Sequence, residues 1–291
     1  IPITNSFVTI LKKFPEEISI TAAGNPIRKT LATALQREGT KVYVLHHGEC
    51  AGVEKYPNAH RNDGSFCNYF VCPTQQITDN FRLNYSDSLL EKRSGTHYIS
   101  SESSHYENLY QRYRSSPSSG RYNTIMLIGF GMNHTRYLDG AGYFSYFQLD
   151  AQYRVAQLIK QNGYRLIYKV HPDRADEVGE LFSGISDHVE KKRFEDVWDC
   201  ADGYVFTHPG STVFGHTVLT EKPMVLVDLR NNNWNEIGYK LLCLRCNMVG
   251  GNFDSDNRII FDETEFSEKL NNPLPLNDSY VKEFLLGETR S

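Results

Sequence analysis

The chain has 291 residues and a mass of 33.4 kDa, which suits one large domain or two of ordinary size. Hydrophobic residues at 40% and charged residues at 23% support a packed core rather than wholesale disorder, and a net charge of −4 gives no basis for a general nucleic-acid binder. A mean hydropathy of −0.49, with no apolar run approaching ~20 residues, excludes a spanning helix.

The given residues show no Lys/Arg-led apolar leader, so no signal peptide is expected among them, although the sequence opens with Ile1 rather than Met. Six cysteines (Cys50, Cys67, Cys72, Cys200, Cys243 and Cys246) are too sparse and irregular for a disulfide framework, and a reducing compartment is expected. Cys243 and Cys246 form a lone CxxC with no second pair to complete a zinc site, so buried helical thiols are the expectation there.

Taken in chain order, Ile18–Ala22 reads as a strand. Asn25–Glu38 follows as a helix, with Pro26 in its first turn and Gly39 as its stop. Lys41–Leu45 is a second strand, ending in His46-His47-Gly48-Glu49. Asn68–Val71 is β-like, and Thr74–Phe81 is helical. From Arg82 to Tyr122 the pattern dissolves, and Ser115–Gly120 has linker composition. A more regular block follows. Strands are expected at Ile125–Phe130, Tyr164–Val170, Tyr204–Thr207 and Met224–Asp228. Helices are expected at Gln148–Gln161, Ala175–Phe182, Phe194–Ala201, Val213–Glu221 and Glu236–Arg245. Apolar strands alternating with helices predict parallel sheets covered on both faces. The expected fold is α/β, with two Rossmann-like doubly wound domains: residues 1–122 with their linker, then 123–291.

Ligands of open parallel sheets sit beyond the carboxyl ends of the strands. There the sequence places His46, His47 and Glu49; Gly131, Asn133 and His134, with Asp139-Gly140 beyond; His171-Pro172-Asp173; and His208-Pro209-Gly210-Ser211-Thr212. Lys169 precedes the His-Pro pair and adds positive charge. His171 and the amides of the following helix suit an anion, the structural alternative being a capping histidine before a turn proline. Gly210-Ser211-Thr212 suits a phosphate, the alternative being an ordinary N-cap. Asp139-Gly140 could equally be a turn. The chain has no GxxxxGK[ST], GxGxxG or GxSxG motif, which argues against a P-loop NTPase, a standard dehydrogenase and an α/β-hydrolase. Lys191-Lys192-Arg193, Arg112 and Arg114 read as solvated charge, and Glu236 as a helix-start acid.

The order Asp139-Gly140, Lys169–Pro172, Ser211-Thr212 resembles the acidic-Gly, His-Pro and Ser/Thr motifs of bacterial GT-B glycosyltransferases that use CMP-activated sugars, such as sialyltransferases and Kdo transferases. Asp202–Asp228 is also similar to the donor-binding half of capsule and teichoic-acid transferases, and His47-Gly48 to the His-Gly of CDP-glycerol glycerophosphotransferases. The resemblance spans residues 124–230 and, more loosely, 40–72. Leu138-Asp139-Gly140 departs from it, with one acid where sialyltransferases often carry two.

The resemblance implies two domains facing across a cleft. It also implies transfer of an acidic 2-keto sugar, Kdo ahead of sialic acid, from CMP to a bacterial surface polysaccharide or lipopolysaccharide. Donor contacts would come from Lys169, Pro172, Gly210, Ser211, Thr212, Gly131 and Asn133, and acceptor-side contacts from His46 and His47. Asp139, His171 and Glu49 would be the catalytic groups. Asp139 would act as base in an inverting enzyme or as nucleophile in a retaining one. No cofactor is expected, and transfer would be metal-independent, since no DxD-type motif is evident. The expected partners are the CMP-sugar and a glycan acceptor, with no nucleic acid. The expected location is cytoplasmic, with room for peripheral association at the inner membrane face; the oligomeric state stays open. A CDP-glycerol or CDP-ribitol type polyol-phosphate transferase, a sugar-nucleotide epimerase and a non-catalytic lectin-like module are the alternatives.

Overall fold

The computed structural model describes residues 14–21, 25–46, 64–85, 95–101, 104–115, 120, 122–131, 145–229 and 234–287. The chain divides into two compact units. Residues 1–107, 234–238 and 281–291 form the first; residues 108–233 and 239–280 form the second. Both are α/β with parallel strands.

The first unit holds β1 (Glu17–Thr21), α1 (Pro26–Arg37), β2 (Lys41–Leu45), β3 (Tyr69–Cys72), α2 (Gln75–Tyr85) and β4 (His97–Ser100). Its strands run parallel in the simple order β1-β2-β3-β4. Helix α1 starts where Asn25 accepts the Ile27 amide at 2.8 Å with Pro26 at the first turn, and it stops where Gly39 takes φ +85°. Burial alternates along the strands: Val42, Val44, Phe70 and Tyr98 are buried with Phe81 of α2, while Tyr43 and Tyr69 stack at 4.7 Å on the other face. A π-helical turn, Val281–Leu286, belongs to this unit, and its Phe284 carbonyl accepts the Thr74 hydroxyl at 3.1 Å.

The second unit holds β5 (Thr124–Ile128), α4 (Ser145–Gln161), β6 (Arg165–Lys169), α5 (Ala175–Ser183), β7 (His188–Glu190), β8 (Gly203–Phe206), α6 (Thr212–Leu219) and β9 (Met224–Asp228). Helix α7 (Glu236–Arg245, its first three residues in the first unit), β10 (Asn247–Phe253), β11 (Ile259–Phe261) and α8 (Glu263–Asn271) follow, and α3 (Ser104–Arg114, its first four residues in the first unit) precedes them all. The seven strands lie in the order β11-β10-β9-β8-β5-β6-β7, parallel except for β11 against β10. Counted from β5, this is the order 3-2-1-4-5-6 of doubly wound sheets, with the reversal between β5 and β8. Strands β8 and β9 are buried along their whole length, as continuous apolar runs require. Val205 and Tyr168 share a core with Val155 and Ile159 of α4, whereas Phe206 packs edge-on to Phe214 of α6 at 5.0 Å. Successive strand residues thus place α4 and α6 on opposite faces.

The structure corrects the sequence reading at four places. Residues 82–122, read as structureless, include β4 and α3. Helix α3 buries Tyr106 and Tyr113, two turns apart, so tyrosines supply the apolar stripe in a segment that looks polar. Phe194–Ala201, read as one helix, is two 3₁₀ turns, Phe194–Asp196 and Trp198–Cys200, because Val197 between them takes φ −136°. Arg114, read as solvated, is only 12% exposed, pairs with Asp278 and Glu221, and donates to the Leu219 carbonyl at 3.0 Å. The elements β7, β10, β11 and α8 were not foreseen.

Helix α6 is eight residues long, with Phe214–Leu219 all buried. Its last carbonyls lack helical partners. Arg245 supplies them, donating to Thr217, Val218 and Thr220 at 3.3, 3.3 and 2.7 Å and to Lys222 at 2.9 Å. Burial pulls its guanidinium down to about 10, which leaves it charged at neutral pH. Replacing Arg245 by Met is expected to cost about 3–5 kcal/mol of the second unit's stability in urea unfolding, because several buried carbonyls lose their donor at once. Replacing the partly exposed Arg114 by Met is expected to cost about 1–2 kcal/mol. Equal losses would refute the assignment of Arg245 as the main cap.

Candidate functional site

The first sheet has no reversal of strand order among the described residues, so the crevice rule points only to the second unit. There Ile128 of β5 is level with Lys169 of β6 on one side and with Phe206 of β8 on the other. His171 and His208 each lie two residues beyond those partners. They thus follow the two strands that flank the switch strand, each two residues past the last paired position, on strands about 10 Å apart.

Both histidines are built the same way. Each is followed by proline, and each accepts through Nδ1 the amide two residues on: Asp173 to His171 at 3.1 Å, and Gly210 to His208 at 2.8 Å. Where Nδ1 accepts that amide, the ring proton lies on Nε2 and makes it a donor; in His171 the same Nδ1 also lies 3.6 Å from Asp173 Oδ2. The His208 ring also lies 4.8 Å from that of Phe130, the residue following Gly129 at the end of β5. The sequence reading placed His208 at a strand end without assigning it a role; the signal was the repeated His-Pro of Lys169–Asp173 and Thr207–Gly210.

Gly210 serves a purpose the sequence did not show. A Cβ there would lie 2.3 Å from His208 Cε1, so the glycine makes room for the imidazole. Ser211 is the N-cap of α6: its Oγ accepts the Phe214 amide at 3.2 Å, the ordinary role weighed above. Thr212 and Val213 open the helix, and their amides precede its first internal bonds. Together with the positive helix end, they make this edge of the sheet suited to an anion.

Lys169 faces a different environment. Its Nζ donates to the Val170 carbonyl at 2.9 Å; burial pulls its ammonium below the usual lysine range, and the carboxylates of Glu190 and Glu195 oppose that pull. Its charge is thus engaged beside β7, the neighbour of β6 on the side away from β8. Gly131 is buried just past β5. The approach of β5 to β6 depends on Gly129, where a Cβ would lie 2.9 Å from both the Lys169 carbonyl and the Tyr168 hydroxyl. In the first unit, the His46 amide donates to the Val71 carbonyl at 2.9 Å, and its ring sits edge-on to Phe70 and Phe81. Asp139, Asn133, His47 and Glu49 lie outside the described residues.

Cys246 is buried, which pushes its thiol up to about 12, and Cys243 is half-buried on α7. Among the described residues, no group of His, Cys, Asp and Glu is arranged to hold a metal ion, and no helix is long and apolar enough to cross a membrane. A comparison with models of known protein families found no match, and neither did a comparison with curated proteins.

Long-range ¹H–¹⁵N spectra at neutral pH are expected to show His171 and His208 both as Nε2–H tautomers. Gly210→Ala is expected to abolish that state at His208 while leaving His171 unchanged. A mixed-tautomer signal for both residues in the wild type would refute the paired geometry.

Proposed function

We propose that this chain is a GT-B-type glycosyltransferase that moves an acidic 2-keto sugar, Kdo ahead of sialic acid, from its CMP donor to a bacterial surface polysaccharide or lipopolysaccharide. The observation that carries the reading is the matched pair of His-Pro turns flanking the switch strand beside the N-terminus of α6. The motif order Asp139-Gly140, Lys169–Pro172, Ser211-Thr212 supplies the sugar-nucleotide class.

In this reaction the bond between the anomeric carbon and the phosphate oxygen breaks, and the electron pair leaves with CMP. The main electrostatic task is to receive that charge. The imidazoles of His171 and His208 and the amides of Thr212 and Val213 are the candidate donors, each ring being oriented by the backbone amide at its Nδ1. The acceptor hydroxyl attacks the anomeric carbon, and its proton passes to a carboxylate, for which Asp139 is the candidate by motif order. By the same resemblance, His46, His47 and Glu49 are the candidates for contacts to the acceptor. The site would lie on the cytoplasmic side of the membrane, where activated sugars are consumed.

The test is a thermal-shift and calorimetric titration with CMP, CDP, UMP, UDP and GDP. Selective stabilisation by CMP is expected. His171→Ala and His208→Ala are each expected to weaken CMP binding about five- to tenfold, and to slow transfer by about 10²-fold if the lost donor meets the departing charge. Preference for UDP would overturn the CMP reading, and absence of any nucleotide shift would favour a non-catalytic module.

A further inference from the structure

Helix α4 follows the switch strand and presents one buried stripe, Gln148, Ala151, Gln152, Val155 and Ile159. Two members of this stripe are glutamines, both fully buried. Gln152 is satisfied: its Nε2 donates to Thr207 Oγ1 at 3.2 Å, and its Oε1 accepts the Tyr168 hydroxyl at 2.7 Å. Gln148 differs, since neither Nε2 nor Oε1 has a hydrogen-bond partner.

The position of Gln148 follows from that of Gln152. Gln152 reaches Thr207, the first residue beyond β8. Gln148 lies on the same face one turn nearer the helix N-terminus, about 6 Å further along the axis. Because α4 runs back along the sheet from the end of β5, that step carries Gln148 toward the carboxyl ends of the strands, beyond the level of Thr207. A buried carboxamide with both ends unpaired is disfavoured in a core, and natural interiors seldom keep one without a use.

We propose that Gln148 is a ligand-reading residue of the switch-point crevice. Its carboxamide would pair with a ligand group that presents a hydrogen-bond donor beside an acceptor. The inference rests on the CMP-sugar reading above, within which two parts of the donor have that chemistry: the N3/N4 edge of cytosine and neighbouring hydroxyls of the transferred sugar. Pairing at a fully desolvated amide discriminates strongly, because a ligand lacking the group leaves both ends of the carboxamide unpaired.

Gln148→Met and Gln148→Leu keep the volume and remove the polar atoms. In the ligand-free full chain, both are expected to raise Tm by about 3–8 °C, whereas Gln152→Met, which breaks two made bonds, is expected to lower it. In the same variants of Gln148, the donor is expected to bind at least about tenfold more weakly. If that loss appears with CMP alone, Gln148 reads the nucleotide; if it appears only with CMP-sialic acid or CMP-Kdo, it reads the sugar. A lower or unchanged Tm for both Gln148 variants would mean that the side chain is structurally partnered, by protein or water, and would overturn the inference. So would a raised Tm with unchanged affinity for CMP and both CMP-sugars, although the CMP reading would then survive. Failure of the wild type to bind CMP or either CMP-sugar overturns the CMP reading and, with it, the ligand named here.

Discussion

The carboxyl edge of the second sheet depends on how one short helix is held. Helix α6 has eight residues, too few to be stable alone, and its sequence TVFGHTVL is β-branched and apolar rather than helix-favouring. Burial and its two ends hold it. Ser211 ties the N-terminal end, and at the other end Arg245 with Arg114 supplies donors to Thr217, Val218, Leu219 and Thr220. Positive charge at a helix C-terminus neutralises the negative end of its dipole. The N-terminal amides can then face the crevice without the helix having to satisfy them itself. Arg245 contributes from α7 and Arg114 from α3, so three helices must be docked before the edge has its final shape.

The same economy explains the two His-Pro turns. A proline after the histidine removes one amide, and the next amide is taken by the imidazole itself, so the turn closes without outside help. The ring then presents Nε2 on its far side. Two such turns follow the strands on either side of β5 and orient a pair of imidazoles there. A lysine at this edge would add charge, but Lys169 is engaged with the carbonyl of Val170 and the field of Glu190 and Glu195. Fixed dipoles, rather than a mobile cation, therefore dominate the electrostatics of the described edge.

Much of the second sheet was legible because its central strands are buried on both faces and so read as unbroken apolar runs; Met224–Asp228 stands at the bounds its pattern indicates. What escaped did so for physical reasons. In β10, Gly250-Gly251 interrupts the run, and at Gly251 a Cβ would lie 2.9 Å from the Leu229 side chain, so the glycine leaves room for that leucine. Helix α8 did announce itself through Asp262, which accepts the amides of Thr264 and Glu265, a start signal the reading of the chain did not use. Tyrosine supplied the buried positions of α3, where a hydropathy pattern sees polar residues. The candidate site was half legible: the strand-end rule found His171, Gly210, Ser211 and Thr212, while the partner His208 became significant only once β5 was seen to lie between β6 and β8.

Gln148 shows a further limit of sequence patterns. A glutamine near a helix start looks like a solvated residue, and nothing in its local sequence marks it as buried. Its spacing from Ala151, Gln152 and Val155 places it on the core face, but only the sheet order shows that this end of the face adjoins the switch point. The first unit makes the complementary point. Among the described residues its strands follow in simple order, without a reversal, and His46 rests edge-on against the aromatic pair Phe70 and Phe81. Similar polar residues after similar strands therefore carry different meaning in the two units. Strand order, which is set by long-range pairing, decides which strand ends can take a ligand.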